Sequence, residues 1–175
     1  MTYQIDPKHS AARFKVRHMM IANVGGEFNS VSGTVDFDEA KPDQSRIDAS
    51  IDANSLHTGD PQRDGHIKGA DFFDVAQFPA ITFRSTKVAA AGSGSYTVTG
   101  DLTLRGVTKP VTLKVEGVSP EVTDPWSLQR RGLTATTTFN RKDFGMGWNA
   151  PAGGGVMLSE NVEITLDLEM TRSAA

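Results

Sequence analysis

The chain has 175 residues, with 18 lysines and arginines against 21 aspartates and glutamates, for a net charge of −3. That balance argues against a dedicated nucleic-acid binder, whose phosphate-driven affinity needs a net basic surface. Hydrophobic residues at 38% and charged residues at 22% exclude wholesale disorder, and the absence of cysteine removes disulfides, thiolate catalysis and Cys-ligated zinc or iron–sulfur centres. The length suits one domain, expected to span residues 1–175. The longest unbroken apolar runs, Met19–Ala22 and Val88–Ala91, are four residues long, against roughly 20 for a membrane-spanning helix. Met1–Pro7 shows no basic region followed by an apolar stretch, so a cytoplasmic location is expected for the chain as given, and a periplasmic one if a leader has been removed.

In chain order, the dominant pattern is period two. Ala12, Phe14, Val16 and His18 alternate with Arg13, Lys15 and Arg17. Val31, Gly33, Val35 and Phe37 follow, then Ile47, Ala49 and Ile51, each set interleaved with polar residues. Beyond residue 80 come Ile81 and Phe83; Tyr96, Val98, Leu102 and Leu104; Val111, Leu113 and Val115; and Leu133, Ala135, Thr137 and Phe139. The last set is Val162, Ile164, Leu166, Leu168 and Met170. Successive side chains of a strand point to opposite faces, so each set reads as a strand with one buried and one wet face. Long apolar runs, the mark of parallel strands covered on both sides, are missing. These eight strands predict an all-β, antiparallel fold that can close into a barrel and so remove its exposed edges; a two-sheet sandwich is the competing architecture. An eight-stranded barrel is either just filled by its side chains or holds one small ligand.

Between the third and fourth strands the pattern changes. Asp60-Pro61 reads as an N-cap followed by proline at the first helical position, predicting one short helix near residues 61–68 that stops at Gly69. Ile67, Phe72, Phe73 and Phe78 are candidates to plug one end of a barrel. Ala89–Ser95 reads as a hairpin tip. Asn149–Gly155, flanked by Met146, Trp148 and Met157, reads as the longest flexible stretch and a candidate lid.

The candidates for chemistry are few. His9, His18, His57 and His66 include no pair at metal-ligand spacing on a strand or helix, so no metal site is expected. His18 shares a face with Phe14 and Val16 and should point inward, either as a hydrogen-bonded strand-end histidine or as a polar anchor for a ligand head group. In Arg63-Asp64-Gly65-His66, residues two apart on a helix diverge, so Asp64 does not orient His66, and the segment reads as caps and tethers. No Gly-x-Ser-x-Gly elbow exists, and Gly153-Gly154-Gly155 lacks the Lys-Ser/Thr and the following helix of a phosphate loop. Arg13, Lys15 and Arg17 form a basic row that reads as a solvated strand face. No catalytic residue is assigned.

The motifs together resemble the YceI-like family. Tyr3-x-Ile5-Asp6-x-x-His9-Ser10, Phe14-x-Val16-x-His18 and Gly26-x-Phe28 are similar to its opening. Arg63-Asp64-x-His66-Ile67-Lys68, Asp71-Phe72-Phe73-Asp74-Val75 and Phe78-Pro79-x-Ile81-x-Phe83 continue in order, followed by the run Gly100–Val111, Arg141-x-Asp143-Phe144-Gly145 and Val162-x-Ile164. The resemblance implies an eight-stranded antiparallel lipocalin-like barrel with an elongated apolar cavity. It also implies that the cavity holds an isoprenoid lipid, prenyl quinone or other long-chain amphiphile, with no catalytic mechanism and no cofactor beyond that bound lipid. Family members are often exported and often dimeric, so a homodimer is an expectation here. The triple glycine after Asn149 departs from the connection expected in the family.

On this reading Phe14, Val16, Phe28, Val35, Ile51, Phe83, Leu102, Leu113, Phe139 and Leu166 line the cavity, with His18 and Trp148 nearer its mouth. Two alternatives stand beside it: a filled, ligand-free stress-response or interaction barrel, and an enzyme acting on an apolar substrate with His18 or His66 as acid/base.

Overall fold

Alternation becomes a wall when each strand finds antiparallel partners on both edges. A computed structural model describes residues 1–173. The strands are β1 (Thr2–Ile5), β2 (Ala11–His18), β3 (Ala22–Phe28), β4 (Val31–Asp36), β5 (Arg46–Asp52) and β6 (Leu56–His57), followed by helix α1 (Pro61–Lys68). Then come β7 (Ala80–Ala90), β8 (Tyr96–Leu104), β9 (Val107–Glu116), β10 (Val122–Thr123), β11 (Leu128–Asn140), β12 (Pro151–Ala152), β13 (Gly155–Val156) and β14 (Asn161–Ser173). The order β11-β9-β8-β7-β5-β4-β1-β14 returns to β11, giving a closed ring of eight antiparallel strands. Closure rests on the longest ladder, in which Leu128 faces Ser173 at one end and Asn140 faces Asn161 at the other.

The ring matches the expected barrel, but its membership differs. The free edge of β14 is shared end to end by two short strands: Met170 and Thr171 pair with β1, and Glu163 to Asp167 pair with β2. The sheet then continues from β2 through β3 to β6 beyond the ring, and β2 and β3 add Phe14, Val16 and Phe28 to the cavity lining. Alternation missed β1 because it is four residues long, and β3 because Gly25-Gly26 interrupts it. Both are defined by their neighbours rather than by their own pattern.

Two local features set which side chains face inward. In β7, Ile81, Phe83 and Ser85 point in; a bulge between Ser85 and Lys87 then resets the phase so that Val88 points in. The extra residue of a bulge shifts a period-two pattern by one. Helix α1 is capped as expected, with the Asp60 carboxylate accepting from the backbone N–H groups of Gln62 and Arg63. It ends at Gly69, which is extended (φ −78, ψ −178) rather than left-handed. Arg63 and Asp64 act as tethers: Arg63 Nε donates to Thr58 Oγ1 at 2.9 Å, and Thr58 N–H donates to Asp64 at 2.8 Å.

The expected lid is a small hairpin rather than a loose loop. Pro151 pairs with Val156 and Ala152 with Gly155 across Gly153-Gly154, whose φ values of 55 and 84 suit the tight two-residue turn of a hairpin. Asn149 anchors its base, donating to Leu158 O at 2.8 Å and accepting from Leu158 N–H at 3.0 Å. The outer basic row is largely ion-paired: Arg13 meets Glu27 and Asp167, Lys15 meets Glu163, and Arg17 donates to Met20 O.

Candidate functional site: the barrel cavity

Eight inward faces enclose a cavity of about 520 Å³. This lies within the range of small-molecule sites, roughly 300–1,000 Å³. On β14 the lining runs from Val162 to Met170, eight residue steps or about 27 Å of strand. Ile164, Leu166 and Leu168 on β14, Phe83 on β7, Leu102 on β8, Leu113 on β9 and Phe139 on β11 all point inward, yet none is fully buried. Close-packed interiors leave no such surface. These side chains keep it because the barrel is hollow.

The two ends differ. At the far end Ile5, Ser45, Val88, Tyr96 and Met170 are buried, and Phe37 meets Tyr96 edge-on at 5.4 Å. At the other end the lining residues Val16, His18, Val24, Trp148, Met157 and Leu158 are half-exposed and His66 is exposed, which places the mouth there. An aromatic cluster shapes this end. Phe73 meets Phe28 at 5.2 Å and Phe14 at 6.2 Å, while Trp148, Phe72 and His66 pack with ring centroids 4.8 to 5.6 Å apart. Ile67, Phe72 and Phe73 therefore flank the mouth as expected, but Phe78 does not line the cavity. It packs on Gly106, where a Cβ would come within 2.7 Å of the Phe78 ring. Gly106 also sits at φ +71, a conformation that favours glycine, in the turn joining β8 to β9.

All twelve residues expected to touch a ligand lie on this one wall: Phe14, Val16, His18, Phe28, Val35, Ile51, Phe83, Leu102, Leu113, Phe139, Trp148 and Leu166. Ile47, Val98, Leu133, Ile164 and Leu168 join them; they sit on the same alternating faces and carried the same signal. His18 lines the mouth, with no hydrogen-bond partner for its ring among the described residues, and its backbone bridges to Leu158. His66 also lines it and is paired with Asp71 at 2.9 Å, a partner that the spacing around Asp64 did not suggest.

Arg141 stands in the sequence only as the first residue of the Arg141-x-Asp143-Phe144-Gly145 motif, with no role attached. It is buried, lines the cavity, and donates to Met146 O, Trp148 O and Ser159 O, tying together the segments that frame the mouth. Burial pushes its pKa down. A separate cluster, Asp6, His9 and Glu169, has the donor types of a cation site. Arg130 already sits among these groups, donating to Asp6 at 2.8 Å, to Glu169 and to Asp124. The arrangement is an ion-pair knot that fastens the β1–β2 turn to β11 and β14. Burial raises the Asp6 pKa, but hydrogen bonds from His9, Arg130 and Lys8 N–H outweigh it and hold the carboxyl at about 2.

Residues 3–170 match the model of the YceI-like domain. The chain belongs to the YceI-like family. Curated relatives of this YceI-like barrel include a UPF0312 protein of Shewanella denitrificans, 42% identical over 92% of this chain and 85% of the relative. Another, from Vibrio parahaemolyticus, is 42% identical over 81% of this chain and 76% of the relative. Among solved structures, BcnA of Burkholderia cenocepacia superposes with a TM-score of 0.82 at 27% identity, covering 94% of this chain and 98% of that one. A polyisoprenoid binding domain from Saccharophagus degradans shares the fold, with a TM-score of 0.68 at 18% identity over 96% of this chain and 97% of that one. No helix among the described residues is long and apolar enough to cross a membrane.

Proposed function

We propose that this YceI-like barrel is a non-catalytic carrier that holds a polyisoprenoid or prenyl-quinone-type amphiphile, tail inward, in its cavity. The observation that carries the reading is the inward row Ile164, Leu166 and Leu168, apolar and still accessible inside a closed barrel. A wall of this kind suits an apolar chain and offers little to a polar one. Burying roughly 20 tail carbons at about 0.8 kcal/mol each contributes about 16 kcal/mol gross. Association and ordering cost on the order of 4–15 kcal/mol, so useful affinity survives with few polar contacts. The solved relative described as polyisoprenoid binding supports the ligand class. A hollow interior weighs against the filled-barrel alternative.

The catalytic alternative has one observation in its favour, the His66–Asp71 pair at the mouth. Its ring is wedged edge-on against Phe72 and Trp148, which suits a gatepost better than a mobile proton carrier.

The test is native mass spectrometry of protein purified without detergent, followed by organic extraction. The expected result is a stoichiometric adduct that extracts as a prenyl chain. Phe83→Glu places a charge on the mid-barrel wall and is expected to abolish retention while the protein stays folded. An apo mass unchanged after incubation with isoprenoid quinones and prenyl alcohols, or full lipid occupancy in folded Phe83→Glu, overturns the reading.

A further inference from the structure

The cavity wall is apolar but for a handful of side chains, and apart from the Tyr96 phenol at the far end every acid–base group on it is basic. His18, Arg63, His66 and Arg141 line it, Arg13 borders it from the outer ion-paired row, and no aspartate or glutamate lines it among the described residues. Three of the five are already engaged. Arg13 is ion-paired with Glu27 and Asp167, Arg63 donates to Thr58, and His66 meets Asp71.

Arg141 is different. It is only 2% exposed, and among the described residues no carboxylate forms a salt bridge with it, the Glu160 charge acting on it from further away. Nε donates to Ser159 O at 2.9 Å, and Nη1 donates to Met146 O and Trp148 O, both at 2.7 Å. Those three bonds use three of the five guanidinium N–H groups. Nη2 is buried with no partner. Buried donors without acceptors are costly, and a buried cation with no carboxylate in contact adds to that cost. Arg131 also has an unpartnered buried nitrogen, but it has Glu39 at 3.1 Å, stacks over Phe37 and stands off the cavity wall. His18, the other unengaged group, sits at the same end: its backbone bridges Leu158, next to the Ser159 carbonyl that Arg141 binds.

We propose that the bound amphiphile seats its head group at this end and gives an acceptor oxygen to Nη2 of Arg141, with its tail running down the barrel. The head group is therefore one that accepts hydrogen bonds, a phosphate or a quinone carbonyl. A cationic head is disfavoured, since no lining carboxylate can neutralise it. The inference rests on the carrier reading and adds the chemistry and the position of the head.

The experiment holds the tail constant and varies the head. Geranylgeranyl phosphate, a tetraprenyl menaquinone, geranylgeranylamine and a headless isoprenoid hydrocarbon of the same chain length are titrated into delipidated protein by calorimetry. Phosphate, quinone or both are expected to bind about tenfold or more tighter than the hydrocarbon, with the amine weakest. Phosphate above quinone identifies charge as the selected feature, and parity between them identifies the acceptor oxygen alone. Arg141→Lys keeps the charge but loses the planar fork, and is expected to collapse the ratio between acceptor head and hydrocarbon. That ratio is read within one protein, so it is insensitive to a general loosening of the mouth. Equal binding of all four ligands to the unmodified protein overturns the inference while leaving the carrier reading intact, as does an unchanged ratio in folded Arg141→Lys. Binding of none of them overturns both.

Discussion

Gly100 sits in the middle of β8, where a side chain would ordinarily face the cavity. A Cβ there would fall 2.4 Å from the Phe83 ring and 2.5 Å from the Arg84 carbonyl oxygen. The glycine leaves the space across which Phe83 lies, so one small residue sets the position of a large wall residue. Gly100→Ala is expected to destabilise the protein by about 1–3 kcal/mol through overpacking. Chemical denaturation checks this, and an unmoved midpoint would mean that Phe83 swings into the cavity at no cost. At this scale, the cavity-lining role of Phe83, Leu102 or Leu166 was legible, because period two assigns each strand residue a face. Arg141 was not: it lies in the short 3₁₀ turn Arg141–Phe144, outside any strand, and the carbonyls that hold it, on Met146, Trp148 and Ser159, are placed by the fold.

Helix α1 was legible because its boundaries are local chemistry: an Asp60 cap, a proline in the first turn and a glycine after the last. Asp60→Ala removes the acceptor for two backbone N–H groups and is expected to cost about 1 kcal/mol, measurable as a lower thermal midpoint. The mouth hairpin β12–β13 was read as loose because its strands are two residues each and glycine-rich. What orders it is Asn149, whose side chain pairs with both backbone groups of Leu158. Asn149→Ala is expected to raise amide exchange across residues 150–157 and to speed release of a bound lipid, with little change in global stability. Unchanged exchange there would mean that the β12–β13 ladder holds by itself.

Closure of the whole barrel depends on β14, and β14 in turn on charge at its closed end. Arg130 holds Asp6 and Glu169 together. On the same side Arg172 and the Tyr3 hydroxyl hydrogen-bond to Glu121 and pull its pKa from 4.5 to about 2. Asp6 is lowered from 3.8 to about 2. Both carboxyls are more acidic in the folded state, so the unfolded chain takes up these protons first as pH falls. Their stabilisation is fully present above about pH 4.5 and is lost as pH drops towards about 2. Urea midpoints measured across that window are expected to fall steeply in the unmodified protein and less steeply in Asp6→Asn and Glu121→Gln. Identical slopes in all three would remove these groups from the account.

The strand faces, the capped helix and the likeness to the YceI-like family were readable from the residues, because each rests on neighbours close in the chain. Whether β1 or β2 completes the ring, whether the interior is hollow, and which groups crown the mouth were decided by contacts between distant residues. The Leu128–Ser173 and Asn140–Asn161 pairings fix the barrel's circumference, and with it the space that Ile164, Leu166 and Leu168 leave empty. Alternation says which way a side chain points. Only closure says how far away the opposite wall stands.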